Sequence, residues 1–544
     1  MTAQRDQVRV EASRWALSVG LCLLALMLAE VVKPADVIPP SGRRAVMLVC
    51  VVLAFAMASA ARATAGLLAS SFVLVLQWSA VVHFQYFGTY FRRRDFLVLG
   101  EEMQDVLQGL LGTADIWGAS LVGLAVSIAL LLVARRFAPK PSRIGLVSLL
   151  VLLLLPAALA FVLPPWRMEP DDRRPALVNA LYAWGGFLAD TAMPSSHASD
   201  SQWKPYRVTP VAAAAAAAAP SVLIVMGESL NPDHLQITGG ARDTTPLLNE
   251  LFARYRGRGA AGRILTSGVS TRVALPMFLN VVREPDHPAA HRRSPANLFR
   301  VARSRGLQTA FLSVQEMGGL SSVIGRESLD RWMDALGDPL PGGLPDDDLS
   351  GRVARSGVDW AKPFFAVLNT RSAHIPYKAN FPPGFARFSS EPVPTKMQQT
   401  VNEYDDAVRW FDAKVAPVIE QILAASSGQV LVVLTSDHGE VVGNGGRFGH
   451  NMFLPDVFQV PLVWFLKEAD PALARSMSRS CMINQYELGQ RLLEVLGFRL
   501  ENPNESQPEA GVYWVNGNQL DGANGVFKYH RAALPVDLRC TRRE

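Results

Sequence analysis

The stretch SVLIVMGESLNPDHLQITGGARDTTPLL, residues 221–248, decides how the rest of the chain is read. Its apolar run Val222–Met226 has the length and composition of a buried strand. The run stops at Gly227-Glu228-Ser229, so a carboxylate lands at the strand's C-terminal end, where open α/β sheets place their ligands. A second run, Val430–Leu434, ends the same way in Thr435-Ser436-Asp437-His438-Gly439-Glu440. Two buried strands that deliver hard ligands to one sheet edge point to a metal site. Asp437 and His438 offer an oxygen and a nitrogen side by side, a donor set that suits zinc and also admits manganese.

Around these strands, apolar runs at Thr309–Val314, Phe364–Leu368 and Val460–Phe465 alternate with helical patterns near Thr245–Tyr255, Ala296–Ser304, Met397–Ala425 and Gln485–Leu496. That alternation predicts a mostly parallel sheet covered by helices. The segment SGVSTRVALPMFLN, residues 267–280, puts Thr271 at or near a helix N-terminus, where free N–H groups and the helix dipole favour an anion such as a phosphoryl group. Threonine alone is a weak nucleophile, and a bound metal removes that difficulty. Taken by itself, Thr271 reads more simply as a helix N-cap. His374 in NTRSAHIPY and His450 in GGRFGHNMF offer phosphate-binding groups near strand ends, although either one alone reads as a surface histidine.

Before Pro165 the chain is far more apolar than after it. Five apolar segments, Trp15–Val32, Ala45–Ala61, Ala65–Phe84, Ile116–Val133 and Ile144–Val162, each approach the ~20 residues that cross a hydrocarbon core as a helix. With the N-terminus inside, Arg5, Arg9, Arg14, Arg62, Arg135, Arg136, Lys140 and Arg143 fall on the cytoplasmic side, against Lys33, Arg43, Arg44 and Arg92–Arg94 on the other. Five spans then export everything after Pro165. Residues 87–114, with Glu101 and Glu102, read as a helix on the outer interface or as a solvated connector. The expected domains are an anchor over 1–165, a linker over 166–220 with interfacial Trp166 and Trp184, and an exported α/β domain over 221–544. The eight alanines at 212–219 read as a spacer. A net charge of +5 on 544 residues, without a basic tract, argues against nucleic-acid binding. Nearly ion-free spans, with Glu30 near one end, argue against a transporter. Cys22 and Cys50 lie in apolar segments, whereas Cys481 and Cys540 could pair in an oxidising compartment.

The ordered series GES at 227–229, DTTPLL at 243–248, STRVALPMF at 270–278, HIPY at 374–377, EYDDAV at 403–408, SDHGE at 436–440 and GH at 449–450 resembles the membrane-anchored phosphoethanolamine transferases of Gram-negative bacteria. These belong to the alkaline phosphatase and sulfatase superfamily. The resemblance implies a five-helix transmembrane bundle in the bacterial inner membrane, followed by a periplasmic sulfatase-like α/β domain. It places zinc ligands on Glu228, Thr271, Asp437 and His438, the covalently modified nucleophile on Thr271, and groups that hold the phosphoryl or assist the exchanging oxygens on His374 and His450. Phosphatidylethanolamine would be the donor, with an envelope glycolipid or glycan as acceptor. Glu101 or Glu102 would face the donor's ammonium. The sequence departs from lipid A-modifying members at Asn369, where they often carry histidine, and at LSVQEMGG, residues 312–319, where Gln315 would take over a binding role. It also has two cysteines in the soluble part, where those enzymes carry several disulfides.

A phosphoglycerol transferase would share these residues and differ in its headgroup pocket. A sulfatase is disfavoured because Thr271-Arg272-Val273-Ala274-Leu275 departs from C/S-x-P-x-R. A catalytically inactive membrane sensor or scaffold is disfavoured by the intact Glu228, Thr271, Asp437 and His438.

Overall fold

The computed structural model describes residues 2–31, 40–87, 90–93, 95–96, 114–140, 143–163, 168, 171, 174–192, 204–211, 218–285, 288–340, 343–371, 373–390, 392–478, 482–505, 511–520, 522 and 525–530. The chain divides into two compact units, 1–197 and 198–544.

In the second unit the strands are β1 Arg207–Pro210, β2 Ser221–Gly227, β3 Gly259–Leu265, β4 Gln308–Ser313, β5 Arg331–Met333, β6 Phe364–Asn369, β7 Val430–Ser436, β8 Val441–Val442, β9 Phe448–Gly449, β10 Gln459–Leu466, β11 Phe498–Glu501, β12 Val512–Asn516 and β13 Val526–His530. Seven of them form one sheet in the order β3-β10-β7-β2-β6-β4-β5. The five from β7 to β5 run parallel, as the alternating pattern predicts. β10 reverses, and the edge strand β3 pairs antiparallel with it. β3 escapes a sequence reading because GAAGRIL has no β-branched alternation and its first half is only partly covered. Its pairing with β10 over seven registered residues makes it a strand nonetheless.

Every residue of β2, β6 and β7 is buried, as strands covered on both faces must be. Val222, Ile224 and Met226 share a core with Leu275 and Phe278 of the helix Thr271–Leu279, Phe299 of Leu298–Ser304, and Leu488 and Leu492 of Gln485–Val495. Register aligns the strand ends: Met226 stands beside Asn369, Ser313 beside Asn369, and Gly227 beside Ser436. The residues that follow β2, β7, β6 and β4 therefore share one sheet edge.

Within the stretch expected as a linker, 166–220, the structure folds two elements. A helix over Ala176–Ala192 packs in the first unit, and β1 pairs with β11 in the second. The helix is apolar on several sides and finds its cover among neighbouring helices, which a reading based on its Pro- and Asp-rich flanks does not foresee. Residues 193–203 and most of the alanine run, 212–217, lie outside the described residues, as do Trp166, Glu101, Glu102, Cys481 and Cys540.

In the first unit the five expected apolar segments are helices α1 Thr2–Val31, α2 Pro40–Ala60, α3 Thr64–Phe87, α4 Ala114–Phe137 and α5 Arg143–Ala160, with Ala176–Ala192 as α6. Four are long and apolar enough to cross a membrane, and the apolar part of α2 spans Met47–Ala60. Leu26, Met57, Leu74 and Trp78 fill the interior while Leu24, Val75, Val122 and Leu150 face outward, which is the arrangement of a bundle in an apolar solvent. Gly123 permits a close approach: a Cβ there would stand 2.1 Å from Trp78 Cη2. Arg14 donates to the Arg136 carbonyl and Arg135 to that of Arg62, so four of the arginines expected on the cytoplasmic side meet at one end of the bundle.

Glu30, the exception among the ion-poor spans, is buried and fully engaged. Its carboxylate accepts from Gln77 Nε2 at 2.8 Å and from the first two amides of α6, Ala176 at 3.0 Å and Leu177 at 2.9 Å. A carboxylate at a helix N-terminus satisfies amides that have no intrahelical partner and favours the dipole. Glu30→Ala should strand both amides in an apolar interior and cost about 1–3 kcal/mol. A clear drop in the thermal midpoint of the detergent-purified chain, smaller for Glu30→Gln, is the expected result.

Candidate metal centre and nucleophile

The turn after β2 is held in a conformation that aims Glu228 inward. Ser229 adopts a left-handed backbone, φ 58°, which a non-glycine residue occupies only when its surroundings enforce it. Those surroundings are explicit. Asp437 N donates to Gly227 O at 3.1 Å, Leu230 N to Ser436 Oγ at 3.0 Å, and Asn231 N to Tyr404 Oη at 2.8 Å. Tyr404 Oη in turn donates to Ser229 O at 2.7 Å. The glycine of the Asp-His-Gly run has a steric reason: a Cβ at Gly439 would lie 2.2 Å from Asp456 O and 2.4 Å from Gln459 O.

Thr271 opens its helix as the first helical residue, and the cap position belongs to Ser270, in extended conformation. The N-cap reading of Thr271 is thereby replaced. Its hydroxyl is instead surrounded by the residues expected as ligands. Thr271 Oγ1 lies 2.6 Å from Asp437 Oδ2, 3.1 and 3.2 Å from the two Glu228 oxygens, and 3.4 Å from His438 Nε2. His438 Nε2 lies 3.4 Å from both Glu228 Oε1 and Asp437 Oδ2. Glu228 and Asp437 are each 1 % exposed and His438 is fully buried.

Such a cluster perturbs its own protonation. Burial and then repulsion from Glu228 push Asp437 up to about 7. Burial opposes ionisation of Glu228 too, but its hydrogen bond to His438 and that ring's charge hold it well below the usual carboxylate range. Burial disfavours the imidazolium of His438, yet Asp437 and Glu228 outweigh it and raise this histidine to about 10. The group attracts positive charge.

The donor set fits a divalent metal. Two ligands at ~2.0 Å from a tetrahedral ion stand about 3.3 Å apart, and most separations around Thr271 Oγ1 are close to that. His438 Nδ1 faces Gly439 O at 2.9 Å, which leaves Nε2 as the atom turned to the cluster, the usual orientation of a ligating imidazole. Glu228, Asp437 and His438 are one of two groups among the described residues that could hold an ion.

The second such group is His438, Glu440 and His450. His450 Nδ1 lies 3.0 Å from Glu440 Oε2, and Tyr377 Oη donates to Glu440 Oε1 at 2.6 Å. The His450 ring stands 4.3 Å from that of His438 and 5.5 Å from that of His374. Of the two histidines expected beside Thr271, His450 therefore stands next to His438, with His374 beyond it. Glu440 is fully buried, and burial pushes it up to about 7 against the Tyr377 hydrogen bond. Gln315 donates to Glu228 Oε2 at 3.0 Å and to Thr370 O, which places it against the ligand shell. Asn369 has a different setting: it is buried and donates to Ser313 Oγ at 3.0 Å, bracing β6 against β4.

Glu440, Tyr377 and Tyr404 were not singled out from sequence, although each lies inside a quoted motif. Their spacing along the chain carries no sign that Tyr377 would meet Glu440 or that Tyr404 would meet Ser229. The helix Lys396–Ala425, which carries EYDDAV, clamps the segment that runs from His234 through DTTPLL. Asp405 takes His234 and Arg242, each at 2.6 Å, and Asp412 accepts from Leu247 N and Leu248 N at 2.9 and 2.8 Å.

A ligand held only by the folded state stabilises it by RT ln(1 + [L]/Kd). Zinc at about 100 times its Kd should add about 2.7 kcal/mol to the stability of the purified chain. In Glu228→Gln or Asp437→Asn that gain, read as a zinc-dependent rise in thermal midpoint, should vanish.

Comparison with known proteins places this geometry. The family model described as Sulfatase matches residues 220–498, just over half of the chain. The chain is 23% identical over 311 residues to the Kdo(2)-lipid A phosphoethanolamine 7''-transferase of Escherichia coli K12, covering 54% of this chain and 53% of that one. It is 22% identical over 251 residues to the phosphatidylethanolamine transferase Mcr-1 of Escherichia coli, covering 44% and 45%. The matches thus span about half the length of these curated relatives. The solved structure of the integral membrane lipooligosaccharide phosphoethanolamine transferase A from Neisseria meningitidis superposes with a TM-score of 0.58 at 17% identity, over 90% of this chain and 95% of that one. That likeness extends the shared fold to the helical anchor as well as the α/β unit. The chain belongs to the Sulfatase family, and the resemblance to membrane-anchored phosphoethanolamine transferases read from its motifs is the one that these comparisons find.

Proposed function

We propose that this protein is a metal-dependent phosphoethanolamine transferase of the bacterial inner membrane, with its α/β unit in the periplasm. It would take the group from phosphatidylethanolamine and pass it, by way of Thr271, to an envelope glycolipid or glycan. The observation that carries this reading is a hydroxyl, Thr271 Oγ1, enclosed by two buried carboxylates and an imidazole at 2.6–3.4 Å. The names of the curated relatives supply the group transferred.

Glu228, Asp437 and His438 would hold the metal together with Thr271, and zinc suits that donor set. When bound, it would supply the positive charge that makes the threonine hydroxyl acidic enough to react near neutral pH. Thr271 Oγ1 attacks phosphorus, the new O–P bond forms and the bond to the diacylglycerol oxygen breaks. The net proton movement is from Thr271 to that departing oxygen. His450, whose Nδ1 meets Glu440, would deliver the proton, and His374 beside it would bind phosphoryl oxygens. In the second half, an acceptor oxygen attacks the same phosphorus, its proton leaves by the reverse route, and Thr271 recovers its hydroxyl. Gln315, bonded to Glu228, keeps that carboxylate turned toward Thr271.

Intact and peptide mass spectrometry of the detergent-purified chain, incubated with phosphatidylethanolamine and zinc, tests this reading. A phosphoethanolamine adduct on Thr271, absent from Thr271→Ala, is expected. A phosphoglycerol adduct after incubation with phosphatidylglycerol would reassign the headgroup. No adduct from either lipid, with zinc or manganese, would overturn covalent transfer.

A further inference from the structure

The sheet ladder aligns Glu228 with Asp437, because β2 and β7 are direct neighbours. It does not align Thr271 with either. The segment that carries Thr271 leaves the sheet from β3, an edge strand two places from β7 in the order β3-β10-β7, which at ~4.8 Å per strand is about 10 Å. Residues 266–270 cross past the start of β10, where Thr266 N donates to Phe458 O at 2.7 Å, before Thr271 meets Asp437. Strand pairing alone does not fix the end of that crossing.

A single buried amide joins the two sides. Gln485 is fully buried, and its Oε1 accepts from Ser267 N at 2.8 Å, on the side of Thr271. Its Nε2 donates to Ser436 O at 2.6 Å and lies 3.5 Å from Asp437 O, on the side of the ligands. The orientation is forced, since one wall offers an N–H and the other two carbonyls. A hydrocarbon in this place would leave Ser267 N buried without an acceptor. Thr266 adds a second tie, because its buried hydroxyl donates to Asp437 O. The remaining bonds of Val269 lead elsewhere: its N donates to Asn516 O at 2.9 Å, and its O accepts from Asn451 N at 3.0 Å.

Gln485 is itself held at the start of its helix, Gln485–Val495. Asn484 caps that helix by accepting from Glu487 N at 2.9 Å, and Glu487 reaches back to Ile483 N at 2.6 Å. Leu265 N donates to Ile483 O at 2.7 Å, so the same turn is fastened to the last residue of β3. Further along, Leu488 and Leu492 share a core with Leu275 and Phe278 of the helix that Thr271 opens. Gly489 permits that approach: a Cβ there would stand 2.9 Å from Val281 Cγ1.

We infer that Gln485 is a positioning residue which, by bridging Ser267 and Ser436, sets the distance between the Thr271 hydroxyl and the Asp437 carboxylate. Calling Thr271 the nucleophile rests on the transfer reading above; the bridge between the two segments stands on its own geometry. The test is the structure of the full chain carrying Gln485→Met, solved in detergent, with the rate of the Thr271 phosphoethanolamine adduct read at saturating zinc on the same preparation. Thr271 Oγ1 should lie about 1 Å further from Asp437, a misplacement that can cost about 100-fold in rate. Glu228, Asp437 and His438 should keep their separations, because the β2–β7 ladder holds them, and the zinc-dependent rise in thermal midpoint should persist. Gln485→Asn keeps the amide but draws it back by one methylene; it should show the same change in weaker form, and it decides the matter where Gln485→Met does not fold. An unmoved Thr271 Oγ1, a shift that carries Glu228 and His438 along with it, or an undiminished adduct rate would each overturn the inference. No adduct from the unsubstituted chain would count against transfer, and the measured distance alone would then judge Gln485.

Discussion

Two carboxylates and an imidazole enclosed around one hydroxyl constitute the constraint that the rest of the α/β unit serves. Glu228 and Asp437 lie within reach of the same Thr271 oxygen and are removed from water. Like charges in a poorly polarisable interior are costly unless a cation or protons compensate them. The fold meets that cost by over-determining the geometry. A left-handed Ser229, a tyrosine bridging two backbone groups and a glycine against two carbonyls leave the ligands little room to relax apart. Strained backbone and buried charge at the same place are what a preorganised metal site requires.

The parallel sheet turns this local arrangement into a reaction platform. Because β7, β2, β6 and β4 end in register, residues far apart in the chain emerge at one edge: Glu228 after β2, Gln315 after β4, Thr370 after β6 and Asp437 after β7. The helix Thr271–Leu279 then presents its first residue to this edge.

The helical unit follows different physics. Its interior is apolar on an apolar exterior, so small residues and isolated polar bonds give it specificity. Glu30 illustrates this: it is buried, and its partners are a glutamine and the open end of α6. A functional ion path would need such a group facing water; here it serves as a helix cap.

Much of this was legible in the chain itself. Apolar runs of strand and span length are a direct consequence of burial on both faces or in lipid, so β2, β4, β6, β7, β10 and the five anchor helices fall where the runs do. That Glu228, Asp437 and His438 would meet was legible for a related reason: each directly follows a buried strand, and parallel neighbours end at one edge. What only the tertiary structure decided was everything that depends on pairing between distant segments. β3 is a strand because β10 offers it an edge, and α6 is a helix in a stretch that read as a linker because neighbouring helices cover its apolar sides. Glu440 orients His450 because Tyr377 and a buried strand end meet there, and Asn369 braces β4 because register puts Ser313 beside it. Local sequence encodes what a segment must bury; which partner it meets is set by the closure of long loops, and no short-range pattern records that.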